Sequence, residues 1–186
     1  ARVQRVSAHP FDVAAAREAG GALVTPGMTL ERGDVETGMV AAKNRVKGTM
    51  EMGGQDHFYL EGHIAMAIPG EDVQAEVRRM GGGFGGKETQ SNLFAAVAAI
   101  AAKKFNRAVK IRPDRDDDMI ATGKRHDFVV DYEVGYDDEG RIEAVDAVFA
   151  ARCGFSADLS GPVTDRALFH ADNAYFYPNV RLKSEP

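Results

Sequence analysis

At 186 residues, 44% of them hydrophobic, the chain can form one domain with its own core, or one domain plus part of another. Its 28 acidic and 23 basic residues give a formal net charge of −5 with no basic block, which argues against nucleic acid and an anionic membrane surface as partners. No apolar run approaches a membrane span and no signal-peptide pattern opens the sequence. A single cysteine, Cys153, excludes an internal disulfide or a cysteine-ligated cluster, so a reducing cytoplasm is the expected location.

The first 26 residues are alanine-rich, with a short helix predicted from Asp12 to Glu18 and ended by Gly20-Gly21. Gly33-Asp34-Val35-Glu36 followed by Met39, Val40 and Ala41 predicts a second helix with Asp34 as its cap. Val46, Gly48, Met50 and Met52 alternate with polar residues and predict a strand from Arg45 to Met52, which is expected to pair with another from Gly62 to Ile68. Between them Gln55, Asp56, His57, Phe58, Tyr59 and Glu61 crowd together, to cap a buried turn or to line a pocket. One histidine beside acids reads as structural rather than as a metal site.

Val73, Ala75 and Val77 alternate in a predicted strand that leads into Met80-Gly81-Gly82-Gly83-Phe84-Gly85-Gly86-Lys87-Glu88. Five glycines in six positions serve a sharp turn or a close approach of main chain, because glycine buries no side chain. Leu93, Phe94, Val97, Ala98, Ile100, Ala101 and Phe105 then predict a helix from Ser91 to Phe105. A glycine loop at a helix N-terminus favours an anionic ligand. Gly81, Gly83 and Gly86 fit a dinucleotide fingerprint, but no strand ending in a ribose-binding acid follows. Gly81 to Lys87 also opens like a P-loop, but Glu88 stands where a hydroxyl should bind magnesium.

Further on, Val109 to Arg112 predicts a strand ended by Pro113. Asp114 to Asp118 lacks the glycine and final glutamate of a calcium loop and reads as a solvated or arginine-paired turn. Asp127 to Tyr136 and Arg141 to Arg152 predict a hairpin, and Cys153 reads as a buried structural thiol. Thr164 to Asp172 predicts a short helix on which Arg166, His170 and Asp172 form a polar ridge; from the residues alone this is a surface salt-bridge row. Tyr175 to Arg181 predicts an extended tail in which Val180 and Leu182 lack a partner strand, and that ending suggests a fragment.

Met80 to Thr89 closely resembles the glycine loop of the molybdenum hydroxylases, the xanthine oxidase family. Gly53 to Glu61, Asp114 to Asp118 with Thr122 to His126, Ala151 to Gly154, and Arg166 to Tyr175 are similar to the same family in the same order. The resemblance runs from about Met28 to Pro186. It implies an α+β fold with mixed sheets and a long helix after the glycine loop. Residues 1–27 would be the tail of a preceding small α/β domain with its linker, and residues 28–186 the N-terminal part of the molybdopterin-binding domain. Near positions 72–73 the chain skips a strand and helix that relatives carry, and with them a glutamine near the metal; the skip leaves the long helix short of a neighbour.

The same resemblance places Gly83, Phe84 and Gly85 against a molybdenum-molybdopterin cofactor whose metal takes no protein ligand. It makes Glu88 and Arg166 the catalytic and substrate-binding pair. A fixed guanidinium can compensate charge developing on an electron-poor ring, and a carboxyl group can hydrogen-bond ring nitrogens. That charged pair favours xanthine or hypoxanthine over aldehydes. The implied reaction is hydroxylation to urate, with electrons leaving through 2Fe-2S clusters and FAD to NAD on other domains or subunits of a hetero-oligomer. Because the base and most pterin contacts of relatives lie beyond Pro186, the isolated chain is expected to be inert. An aldehyde oxidase or another hydroxylase of the family remains open. So do a non-catalytic assembly module, in which the glycine loop only turns the chain, and a phosphate-binding enzyme that retains nucleotide despite Glu88.

Overall fold

The computed structural model describes residues 13–186 except Ala22, Val24 and Phe155. Its elements in chain order are α1 (Val13–Glu18), β1 (Thr29–Arg32), α2 (Val35–Ala41), β2 (Asn44–Met52), β3 (Ala65–Ile68), β4 (Gln74–Glu76) and α3 (Ser91–Phe105). β5 (Val109–Ile111), α4 (Arg115–Ala121), β6 (Phe128–Tyr136), β7 (Ile142–Ala151), α5 (Ser160–Phe169) and β8 (Asn179–Glu185) follow. They fall into two units: Ala1–Gly53 with His126–Pro186, and Gly54–Arg125. The predicted α+β class with mixed sheets and a long helix after the glycine loop is the observed one.

The first unit is built on a sheet of order β1-β8-β7-β6-β2. The predicted hairpin is its spine. Asp137 turns β6 into β7 by accepting from the backbone N–H of Glu139 at 2.9 Å and of Arg141 at 2.8 Å, an Asx arrangement that needs no tertiary support. One face carries the main core, where Val130, Val145, Ala147, Val180 and Leu182 meet Leu168 of α5. Val13 of α1 packs with Val129 and Ala150 on the other face, and α2 packs there through Val35 and Met39 onto Ala144. Asp34 caps α2 as expected, accepting from Thr37 N–H at 2.9 Å. Of the helix predicted from Asp12 to Glu18, Asp12 lies outside the described residues and the remainder is α1.

Three expectations for this unit need correction. The predicted tail is β8, an interior strand parallel to β7 and antiparallel to β1, with Val180 and Leu182 only 5% and 3% exposed. Their partners come from the far end of the chain and from the hairpin, which local pattern cannot reveal. β2 pairs along its whole length with β6, from Asn44↔Tyr136 to Met52↔Phe128, and not with the stretch Gly62 to Ile68. A nine-residue strand finds a nine-residue partner there, whereas β3 has four residues and belongs to the other unit. α5 begins at Ser160, since Pro162 in a first turn sacrifices no hydrogen bond, and it ends at Phe169, so His170 and Asp172 lie beyond it.

In the second unit β3 is the centre of a three-stranded antiparallel sheet of order β4-β3-β5. α3 lies on it through Ala98 and Ala102, which meet Ala67. All three are fully buried, and their small side chains let the helix approach the sheet closely. The predicted strand from Val73 to Arg79 shrinks to Gln74–Glu76, and Arg79, at φ +53°, has left extended geometry. The acidic run is no open turn: Asp114 caps α4, accepting from Asp117 N–H at 2.8 Å, and Asp116, Asp117 and Asp118 occupy a first turn whose dipole favours them. Among the described residues no helix is long and apolar enough to cross a membrane.

Candidate functional site

The glycine loop of the second unit is shaped by the segment before β3. His57, Tyr59 and Glu61, alternate residues of a stretch without regular structure, all approach the loop. A Cβ on Gly86 would lie 2.7 Å from the His57 ring and 3.1 Å from the Tyr59 ring, and one on Gly81 would fall onto the Glu61 side chain. Glycine is therefore a steric requirement at Gly86, whereas at Gly81, where the flexible Glu61 side chain could move aside, its left-handed φ favours glycine. The intervening Phe58 and Leu60 are 73% and 85% exposed. The crowded segment is thus a backing for the loop.

Within the loop the main chain is left-handed at Gly81 (φ +66°), Gly82 (+98°), Phe84 (+51°) and Gly85 (+91°). Gly86 N–H donates to Gly83 C=O at 2.8 Å and closes a tight turn. For a bulky residue such as Phe84 a positive φ is an outlier that the surrounding structure must enforce. Phe84 is nevertheless 65% exposed, so burial of its ring is no compensation. Glu88 is exposed at the exit of the loop, just before α3.

Lys87 points inward and is 7% exposed. Its Nζ donates to Glu61 C=O at 2.7 Å and to Met80 C=O, and it sits 4.2 Å above the centre of the Tyr59 ring. Burial lowers its pKa from the ordinary value. With its donors turned to internal carbonyls, this lysine cannot serve a phosphate as a P-loop lysine does. Tyr59 in turn donates to Asp118, and burial with that hydrogen bond pushes the phenol up to about 12. Asp118, 1% exposed, also accepts from His63 N–H at 2.6 Å. The sequence reading missed Asp118. Its only signal there is its place four residues after Asp114, on the inward side of what became a helix.

His63 is 2% exposed, stacks 5.5 Å from Tyr59 and meets Phe94 edge-on at 5.1 Å, and neither ring nitrogen has a hydrogen-bond partner. Burial lowers its pKa, and likewise that of His57, where burial and Arg125 outweigh the acids Asp56 and Glu88. Among the described residues no three His, Cys, Asp or Glu side chains come together to hold a metal ion.

Gly83, Phe84, Gly85 and Glu88 therefore share one loop of the second unit, whereas Arg166 stands on α5 of the first. Arg166 is exposed and forms no ion pair with a described residue, so the expected salt-bridge row does not form around it. α5 is secured instead at its start: Ser160 Oγ lies 2.8 Å from His126 Nε2, and Thr164 Oγ1 donates to Ser160 C=O at 3.1 Å. Cys153 is half-buried and free, less enclosed than expected.

The chain matches the family described as the molybdopterin cofactor-binding domain, over residues 17–77 and 66–186. Mouse xanthine dehydrogenase/oxidase is 40% identical over an alignment covering 84% of this chain and 14% of that protein. The chicken protein of the same name is 39% identical, with 86% and 14% covered. The chain thus spans about one-seventh of the length of these curated relatives. The solved structure of the aldehyde oxidoreductase from Desulfovibrio gigas superposes with a TM-score of 0.78 at 18% identity, over 94% of this chain and 23% of that one. At that identity the likeness concerns the fold.

Proposed function

Because the chain belongs to the molybdopterin cofactor-binding domain family, we propose that it is part of a xanthine dehydrogenase and contributes residues to its cofactor and purine binding. The observation that carries this reading is the glycine loop. Its main chain is left-handed at Gly82, Phe84 and Gly85 and turned outward at an exposed Phe84, so a flat cofactor can approach the backbone closely. Gly83, Phe84 and Gly85 are the residues that would lie against molybdopterin. A loop that offers main chain suits a cofactor whose metal is held by its own pterin.

The cofactor supplies the two-electron oxidation that hydroxylates an electron-poor ring. The chain supplies recognition and charge. Glu88, exposed beside the loop, hydrogen-bonds ring nitrogens and moves a proton between them. Arg166, with no internal partner among the described residues, offers a planar guanidinium to the negative charge that grows on the ring during attack. Two charged residues in these roles suit xanthine or hypoxanthine better than an aldehyde. The 2Fe-2S clusters, FAD and NAD belong to other domains or subunits of the intact, cytoplasmic hetero-oligomer.

The domain boundaries form part of the proposal: residues 1–27 end a preceding small domain, and 28–186 open the molybdopterin-binding domain, with a segment skipped after Asp72. The mouse alignment runs over 186 positions while using 84% of this chain, so the relative carries residues that this chain skips. The family match also splits into stretches that overlap at 66–77, around β3 and β4.

The test is steady-state kinetics of the full-length enzyme carrying Glu88→Gln or Arg166→Met. Each substitution is expected to lower kcat/KM for xanthine by at least about 100-fold, the scale of losing one transition-state charge partner. Unchanged xanthine turnover in both variants would overturn the purine assignment. The isolated chain is expected to turn over no xanthine.

A further inference from the structure

Lys87 is the side chain on which the loop geometry converges. Its ammonium bridges the carbonyls of Met80 and Glu61, one at the entrance of the loop and one on the backing segment. One more group meets the ammonium itself: the face of Tyr59 lies 4.2 Å away, and the Tyr59 hydroxyl is held in turn by buried Asp118. Arg115 adds a further tie by donating to Leu60 C=O. The four left-handed residues of the loop lie between Met80 and Lys87, so both of its ends are tied through one cation while Phe84 is left outward.

We propose that Lys87 is a positioning residue: its ammonium, bound by the carbonyls of Met80 and Glu61 over Tyr59, sets the conformation in which Gly83, Phe84 and Gly85 meet the cofactor. The proposal rests on the cofactor reading above for its consequence, though not for its geometry. A buried ammonium loses much of its hydration and must be repaid by well-placed acceptors, so the carbonyls hold it and it holds them. Removing the charge while keeping all but the terminal atom of the side chain's length releases the loop and leaves only the space of the ammonium group.

Amide hydrogen exchange on the chain tests the geometry. Lys87→Met is expected to accelerate exchange across Gly81–Gly86 by at least about 10-fold while Ala98–Ala102 of α3 keeps its protection, and Lys87→Arg restores most of the lost protection. Unchanged loop exchange, or equal loosening of loop and helix, overturns the proposal. Should Lys87→Met fail to fold, the unaltered chain decides: slowly exchanging Lys87 ammonium protons in a nitrogen-15 spectrum support the carbonyl clamp, and a solvent-like signal contradicts it. Molybdenum content of the full-length enzyme with Lys87→Met separates the two readings. A loosened loop that still carries a full complement of molybdenum contradicts the cofactor assignment rather than the clamp.

Discussion

The two units solve stability differently. In the first, long strands bury Val130, Val145, Val180 and Leu182 under α5, with α1 and α2 on the other face, and the buried polar groups beside that apolar core are the small hydroxyls of Ser160, Thr164 and Ser184. In the second, strands of three or four residues carry α3, and polar ties replace much of the core: Lys87 on carbonyls, Tyr59 on Asp118, Asp118 on His63 N–H. Several of its large apolar side chains are turned out, with Leu93, Val97 and Ile100 of α3 at 52%, 49% and 68% exposure, while Phe94 is buried against His63. Apolar burial is non-directional and tolerates exchange, whereas a charge-assisted polar tie fixes a backbone in one geometry and can hold a strained, outward-facing loop in place.

The largest effect in the first unit is expected from Leu168→Ala, which removes a side chain 2% exposed at the centre of that unit's core. It is expected to cost about 2–5 kcal/mol in denaturant unfolding followed at residues of that unit. Asp118→Asn, which replaces one of two buried acceptor oxygens with an NH2 group and so takes away the acceptor of the Tyr59 O–H, is expected to cost about 1–3 kcal/mol in the second unit. Equal behaviour under hydrophobic substitution of both sites would remove the distinction.

Acid separates the units further. Burial holds His57 and His63 of the second unit below their ordinary value of 6.5, so as pH falls through that value the unfolded chain binds protons that the native state refuses. Stability of the second unit is therefore expected to decline from pH 7 to pH 5, and more steeply than in the first unit, where His126 alone among the described histidines is shifted this way. His63→Phe keeps the stacking, removes two unpartnered nitrogens, and is expected to flatten that decline at a change in neutral stability of about 1 kcal/mol or less. The smallest effect belongs to Val97→Lys on the uncovered face of α3, expected within about 0.5 kcal/mol of the unaltered chain by the same unfolding measurement.

Local chemistry was legible in the sequence wherever it decided the structure. The Asp34 cap, the Asp137 turn and the 15-residue helix after the glycine loop all follow from residues within a few positions of one another. What was illegible depends on distant partners. β8 reads as a loose tail because β1 and β7 lie far from it in sequence, and β3 was assigned to β2 because adjacency in sequence favours a hairpin. Asp118 reads as one solvated acid among four until helix geometry turns it inward. Of the site, the glycine loop and Glu88 were visible through motif chemistry, but the alternate approach of His57, Tyr59 and Glu61 was not, since that stretch carries no regular secondary structure.

The central claim is that the glycine loop holds molybdopterin, and a matched pair of substitutions in the full-length enzyme tests it most directly. Gly85 and Gly140 have similar left-handed backbones, φ +91° and +80°, one in the loop and the other in the hairpin of the first unit. Alanine imposes a comparable backbone strain at either position. Molybdenum per polypeptide is expected to fall several-fold in Gly85→Ala and to stay near that of the unaltered enzyme in Gly140→Ala; equal retention in both would contradict the account.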